Sequence, residues 1–537
     1  MDIPILKITP FHWSFRRNIN SIKNKYNYKS FFIPVNMKNN CFLFLAFIFI
    51  LFSTSCVDKS GELDLNPSAP DKIADFEEDE NSGSNGNVQG KRYPTFEGGT
   101  LAFPGAEGYG RSATGGRKGE VYHVTNLNDD GPGSFRDAVR LPHRIVVFDV
   151  SGIIKLKSTP IVLKSNQTIL GQTAPGDGIV LYGGRVTASG ANNTIVRYLR
   201  VRMGAGFPSQ ADAGGLANGS NIIFDHCSFT WGRDENFSIN GDGKGIPPQK
   251  ITVQNSIIGQ GLQNHSCGGL MQTGITDGVT LYRNLYIDNK SRNPKVKGLN
   301  QFANNVVYNW GNGSAYDMGG DSQGNSETSI EDNYFIVGPG KTYIGVDDGS
   351  GNIITELQTV NPSKPFSGGN ASFRTFWKGN YYDDDKNGSL DGRLMDWERD
   401  CSGSPTFLAV RSDLHPLIPT QTTAEKAYDW IVNNVGASLP KRDQVDSYLI
   451  DELTSLGSKG VIIRNETNTT QFPLGGPGLI NSGTKPVDSD NDGIPDEFEN
   501  KWELDKNDPS DAMKIGSNGY TNLENYAISL EFPERYK

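Results

Sequence analysis

The chain of 537 residues is too long for one ordinary compact domain unless much of it is a repeat, and its 63 glycines suit many tight turns better than long helices. A net charge of −10 and a pI near 5.3 exclude a broad nucleic-acid-binding surface, which needs an excess of cations. The cysteines (Cys41, Cys56, Cys227, Cys267 and Cys401) form no CxxC pair and no zinc-like spacing with histidine, so the last three read as small buried hydrophobes.

In chain order, the first segment reads from Met37 rather than Met1. "MKNNCFLFLAFIFILFSTSC" has an early lysine, an apolar run from Cys41 to Phe52 and small residues up to Cys56, which is a signal peptide too short to span a membrane. Small residues before a cysteine resemble a bacterial lipoprotein cleavage site with Cys56 lipidated, although Ser53 stands where leucine is usual. The expectation is export, with a lipid anchor at the outer membrane or cell surface, and otherwise plain secretion or a periplasmic location. Residues 1–36 read as an over-extended start, so residues 1–56 are absent from the mature chain except for Cys56. Residues 57–97 are acidic, rich in Ser, Gly and Asn and poor in apolar residues, which predicts a disordered tether.

"GPGSFRDAVR" (131–140) offers Ser134 as the cap of a short helix. Strand runs follow at "RIVVFDVSGIIKL", "QTILGQ" and "GIVLYGG". From residue 193 a loose repeat takes over, in which Ile195, Ile222, Ile251 and Val279 fall 27, 29 and 28 residues apart. Asn255, Asn284, Asn305 and Asn333 recur after these anchors. Short strands at such a period, with no long helices between, predict an all-β domain over 98–480 built as stacked coils of a parallel β-helix, with asparagines satisfying the turns. A β-sandwich would instead show turns every 8–12 residues or so and hairpin dipeptides. Residues 424–457 switch to helical spacing, predicting short helices packed across the coils. "DDDKNGSLDGRL" (383–394) imitates a calcium loop but ends in Leu394, and reads as a turn.

The last segment, 481–537, reads as a separate calcium-binding module. "DSDNDGIPDEFE" (488–499) matches the EF-hand loop: Asp488, Asp490 and Asp492 at positions 1, 3 and 5, and Gly493 at the sharp turn. Ile494 offers its carbonyl, Asp496 stands at position 9 and Glu499 supplies the closing carboxylate. "NGYTNLENYAISL" predicts the companion helix, and the role is structural because millimolar extracellular calcium fills even a weak site.

In "NKSRNPKVKG" (289–298), Arg292, Lys295 and Lys297 crowd around Pro294 and repel one another unless an anion sits there. That stretch, with "NIIFDHCSFTWGRDEN", "NHSCGGLMQ" and "FANNVVYN" in the same order, resembles family 1 polysaccharide lyases, the pectate lyases. "AFPGAEGYGRSATGGRKGEVYHVTNLNDDGPGSFRDAVR" resembles the bacterial branch of that family, and the likeness covers roughly 100–460. It implies a right-handed parallel β-helix that cleaves polygalacturonate by β-elimination with calcium bridging protein and uronate carboxylates. It implies Arg292 as the base at C5 and Lys297, with Lys295 as a second cation, on a substrate carboxylate. Asp212 and Asp234 fall where calcium ligands are expected. Ser238 stands at a further ligand position without a charge, which leaves Glu235 to compensate. Cys267 occupies the place of a substrate-binding lysine, with His265 as the substitute donor. Asp225 and His226 read as a hydrogen-bonded structural pair.

The function expected is a monomeric, calcium-dependent pectate lyase acting on acidic plant cell-wall polysaccharide, giving 4,5-unsaturated oligogalacturonides. Two rivals stand beside it. A β-helical glycoside hydrolase needs two carboxylic acids flanking the bond, for which Asp225, Asp234 and Asp242 are available. A non-catalytic polysaccharide-binding β-helix needs neither calcium nor a base.

Overall fold

The computed structural model describes residues 93–537, apart from 158, 209, 242, 244–246, 320–324 and 363. These residues belong to one compact unit, Gly86–Lys537. The expectations for the signal run, for Cys56, for most of the tether and for Asp242 lie outside the described residues. Among the described residues, no helix is long and apolar enough to cross a membrane.

From Arg144 the chain repeats strand, turn, strand, turn, strand, and each strand pairs in parallel with its equivalents one coil before and after. Three long sheets of eleven, ten and eight strands result. The fold is the parallel β-helix that the period implied. Ser134 caps a short helix, Phe135–Ala138, by accepting from the Asp137 amide.

The register corrects one anchor. Ile222, Ile251 and Val279 stack on one another and point into the coil interior. Ile195 stacks instead on Ile223, on the outer face against Phe103 and Ala113, because Ile222 pairs with Thr194. A shift of one residue exchanges the two faces of a strand. Both faces here are buried and apolar, as a parallel sheet requires, so alternation alone does not fix the phase.

Of the four expected asparagines, Asn284, Asn305 and Asn333 form the ladder and Asn255 does not. Ser256 N donates to Asn284 Oδ1 (3.0 Å). The series continues as Asn284 N to Asn305 Oδ1 (2.9 Å), Asn305 N to Asn333 Oδ1 (2.8 Å) and Asn333 N to Asn380 Oδ1 (3.2 Å). Asn255 is outside it: φ is 54°, and its side chain donates to Asp225. From Asn255 onward each corner between the eleven- and ten-stranded sheets is a pair, a left-handed residue followed by a ladder residue. Asn255–Ser256, Arg283–Asn284 and Asn304–Asn305 are three of them. The ladder residue closes turn amides that burial would otherwise leave unsatisfied, worth about 1 kcal/mol per bond.

Two of the three sheets are covered on the outside. Helices Ala424–Asn434 and Gln444–Thr454 lay Tyr428, Ile431, Leu449 and Leu453 on Ile257, Leu285 and Val306, as their spacing predicted. Leu101, Ala102 and Phe103 cover Ile195 and Ile223. The C-terminal segment shares a core with the first coils: Ile494, Phe498, Trp502 and Leu523 pack with Ile145, Val147 and Leu170. Residues 481–537 are therefore a cover on the first coils and not a module with a core of its own. Tyr93 is buried in the same cluster, 4.9 Å from the Trp502 ring and donating to Asn522, and Phe96 packs beside Phe532. Tyr93 and Phe96 thus pack on the domain although they fall within 57–97, the stretch the sequence read as a tether.

Candidate active site

The eight-stranded sheet carries the residues that the sequence singled out. Gly214–Leu216, Phe237–Ile239, Leu270–Gln272 and Lys295–Lys297 are neighbouring strands in it. Val296 faces inward and is buried, so strand alternation sends Lys295 and Lys297 outward together, beside Leu270 and Gln272. Just before these strands Glu235, Cys267 and Ser291 stack in parallel register on three successive coils.

Arg292 follows Ser291 with φ 56°, and its guanidinium reaches back across the stack to Glu235. The turn sits tightly on the coil below. Gly269 N donates to Arg292 O (2.7 Å), and a Cβ on Gly268 would lie 2.6 Å from that oxygen, so "CGG" leaves room where side chains would not. Beneath it, buried Asn236 donates to Asn289, and Asn289 to Asn293 (2.8 and 2.9 Å). Asn289 also accepts from Gly261 N (3.0 Å). This chain of amides fixes the turn that presents Arg292.

Asp212, Asp234 and Glu235 each bring a carboxylate oxygen within 4.8 Å of the others. Asp212 accepts from Glu235 N (3.2 Å) and lies 3.6 Å from Arg185. His265 Nε2 is 2.9 Å from Asp234 and 3.4 Å from Arg292 Nη1. Burial opposes ionisation of Glu235, yet hydrogen bonds with His265 and Asp212 and the Arg292 charge hold it down to about 2. Burial and the Glu235 charge push Asp212 up to about 7, and the same two causes raise Asp234. Hydrogen bonding with Cys267 and Glu235 raises His265 to about 10, so it is an imidazolium at neutral pH. Burial works against the charge on Arg292, but Cys267, Glu235 and Asp234 outweigh it and hold the guanidinium above its ordinary range.

The geometry thus joins Arg292, His265, Asp212, Asp234 and Glu235, and sets Lys295 and Lys297 on the adjoining strand. Oxygen donors converging in this way suit a hard divalent cation. Cys267 is buried in the middle of the stack, its Sγ 3.5 Å from Ser291 Oγ. Ser238 is buried and accepts from Leu270 N (3.2 Å), a structural bond. Asp225 is fully buried in the eleven-stranded sheet, paired with Arg197 (2.7 Å) and accepting from Gln254 and Asn255. His226 stacks on Tyr198 at 4.7 Å. The expected hydrogen bond between Asp225 and His226 is replaced by separate partners, Gly436 O for His226 Nδ1 (3.2 Å) and Arg197 for Asp225, and the buried ion pair leaves Asp225 without access to a substrate.

Carboxylates also converge in the C-terminal loop. Asp488 accepts from Asp492 N and Gly493 N (both 3.2 Å), and Asp492 from Ile494 N (2.8 Å). Both carboxylate oxygens of Asp490 and of Glu499, and Asp492 Oδ2, are buried with no hydrogen-bond partner. Burial and mutual repulsion push Asp492 up to about 7 and Glu499 up to about 8. Asp496 departs from the expected ligand set: it opens the helix Asp496–Trp502, its carboxylate accepting from Ser489 N and Oγ (2.8 Å each) and facing Lys506. The companion helix is Asn522–Glu531, closed by a Thr521–Glu524 capping box.

Sequence reasoning missed Arg185, the Asn236–Asn289–Asn293 chain, and Asp511, whose charge acts on Asp490, Asp492 and Glu499. Asn289 was findable, because it follows left-handed Asp288 just as Asn284 follows Arg283. Asp511 lies twelve residues past the loop and left no spacing signal.

No family model matches the chain. The protein of Neosartorya fischeri named Probable pectate lyase C is 50% identical over 430 residues, covering 80% of this chain and 94% of that protein. The chain belongs to the pectate lyase family. It is a polysaccharide lyase. The Aspergillus flavus protein of the same name is 46% identical over 435 residues, covering 81% of this chain and 95% of that one. These relatives are fungal. A solved pectate lyase bound to a hexasaccharide aligns with a TM-score of 0.43 at 15% identity, covering 64% of this chain and 98% of that one.

Proposed function

We propose that this pectate lyase is calcium-dependent and cleaves α-1,4-polygalacturonate by β-elimination, with Arg292 as the base. The observation that carries the reading is the Arg292 guanidinium paired with Glu235, on the turn that leads into the outward Lys295–Lys297 strand. In its neutral form Arg292 takes the C5 proton and becomes the guanidinium, the C5–H electron pair forms the C4–C5 double bond, and the C4–O bond breaks with its electrons on the glycosidic oxygen, which takes a proton from water. Lys297 and Lys295 bind a uronate carboxylate, and His265, charged and part-exposed, donates to substrate. Asp212, Asp234 and Glu235 would hold the calcium. Bound there, it supplies positive charge beside the uronate carboxylate and engages the anions that otherwise favour a charged Arg292.

Five buried, unpartnered carboxylate oxygens on Asp490, Asp492 and Glu499 support a second, structural calcium in the C-terminal loop, with Asp488 and the Ile494 carbonyl completing the ring. The 37–56 pattern supports export with Cys56 as a lipid anchor.

The test is polygalacturonate digestion followed at the absorbance of unsaturated uronates, with and without chelator. The expected signal rises and chelator abolishes it. New reducing ends without that absorbance would mean hydrolysis, and neither signal would mean a binding protein.

A further inference from the structure

The stretch that the sequence reads as a turn, 383–394, holds a feature that a turn does not need. Asp383 ends the strand Tyr381–Asp383, whose partner Arg393–Leu394 returns antiparallel, so residues 384–392 form a loop on the last coils. Asp383 is only 4% exposed, and its Oδ2 is buried with no hydrogen-bond partner. A buried carboxylate oxygen left unsatisfied costs several kcal/mol, roughly, unless something positive meets it.

What it faces is more negative charge. One oxygen each of Asp383, Asp385 and Asp391 lies within 4.8 Å of the others. Asp384, between them in sequence, is turned away to Arg393 at 3.4 Å, so the alternation selects Asp383 and Asp385 for the inside of the loop. Asn387 sits in the same cup: its Nδ2 donates to Asp385 Oδ2 (2.7 Å) and to Asp391 Oδ2 (3.1 Å). That amide donates to the two exposed carboxylates without cancelling their charge, and Asp383 Oδ2 is left unmet. The donor set is three carboxylates and an amide, all oxygen once the amide turns, with no nitrogen or sulfur ligand among them.

We infer that residues 383–391 form a further calcium site, distinct from the active-site carboxylates and from the C-terminal loop. Asp383, Asp385 and Asp391 are its charged ligands and Asn387 its neutral one. Hard oxygen donors in a flexible loop select calcium over zinc or copper, and Gly388 supplies the left-handed turn (φ 82°) between ligands. Leu394 at the place of the closing carboxylate removes a bidentate ligand, so the affinity belongs to the weak, extracellular class. The site has a mechanical consequence. Gly388 N donates to Leu456 O, and Gly457 packs so closely on Lys386 that a Cβ there would lie 2.6 Å from the Lys386 Cα. A cation in the loop thus ties the last coil to the end of the helix Gln444–Thr454.

The experiment counts calcium on the full mature chain. Chelator-stripped wild type and the variant Asp385→Asn/Asp391→Asn are compared by equilibrium dialysis against calcium up to the millimolar range. Both replaced residues are exposed, so the fold is retained, and neither belongs to the active site. The variant is expected to bind one calcium fewer per chain, while its activity at saturating calcium stays within about twofold. Combining it with Glu499→Gln should subtract the two losses separately, which distinguishes this site from the C-terminal loop. An unchanged count in the double variant overturns the inference. Should that variant fail to fold, Asp391→Asn alone must still weaken one binding event at least tenfold, and an undiminished set of affinities overturns it equally.

Discussion

Replacing Arg292 with lysine separates charge from geometry at the proposed base. Glu235 and Ser291 are two rungs apart through Cys267, roughly 9–10 Å of backbone separation at the usual strand spacing. Arg292 spans that gap from the Ser291 side to reach Glu235. A lysine ends about one bond, or ~1 Å, short and lacks the planar fork. A misplacement of ~1 Å at a reacting group costs about 10²-fold, and loss of a general base costs about 10²–10⁴-fold. Arg292→Lys should therefore lower kcat by about 10²–10⁴, or about 3–5 kcal/mol in the barrier. Stability should move little, because the positive charge is kept and the pair is one-third exposed on the arginine side. The assay is initial rate at the unsaturated-uronate absorbance, with thermal unfolding in calcium as the control. Lys297→Ala, on the binding strand, should instead raise KM and leave a measurable kcat. A folded Arg292→Lys enzyme within tenfold of wild-type kcat would refute the assignment, and the base would have to be sought elsewhere.

Cys267→Lys restores a cation at the centre of the Glu235–Cys267–Ser291 stack, and KM on non-esterified polygalacturonate should fall; an unchanged or larger KM counts against that placement. Glu499→Gln removes the closing carboxylate of the C-terminal loop, so the rise in melting temperature on adding calcium should shrink, a linkage worth about 2.7 kcal/mol at a hundredfold excess over Kd. Glu452 and Asp288 form a buried acid pair between helix and coil, with Asp288 pushed up to about 6 and Glu452 raised further by burial and by Asp288. Raised carboxyl values mean that the folded state holds more protons than the unfolded one, so this pair costs stability as pH climbs from about 4 through 6 and above. Glu452→Gln should consequently gain melting temperature on wild type at about pH 8 and lose that advantage near pH 5; parallel curves across the range would refute it.

The coil architecture was legible because its period and the change to helical spacing at 424 are properties of whole segments. The phase was not, and Ile222–Ile223 shows why: adjacent branched residues fill the inner and outer faces of a doubly covered sheet, so either one fits either face. At the site, Arg292, Pro294 and Lys297 were legible as a local cluster. The Arg292–Glu235 pair was not, since its members stand 57 residues apart and their alignment depends on how many residues each coil inserts between strands. The C-terminal loop was legible by its alternate aspartates, but the turning of Asp496 toward Ser489 and Lys506 depends on the helix that begins there.

Coil stacking also explains the order of charges along the site. Asp212, Glu235, Cys267 and Ser291–Arg292 come from four successive coils, so sequence separations of more than twenty residues each become single strand spacings. The carboxylates occupy the first two of these coils, with Arg185 beside Asp212 and His265 beside Asp234, and the cations Arg292, Lys295 and Lys297 stand together on the last. A polyanion laid along the sheet is attracted at one end and repelled at the other, unless a divalent cation covers Asp212, Asp234 and Glu235. On the proposed reading, calcium is required for the substrate to cross the first coils at all, before any effect on the proton transfer. Binding of polygalacturonate to a folded but inactive Arg292→Lys enzyme should then itself depend on calcium, and calcium-independent binding by that variant would break the link between charge order and metal requirement.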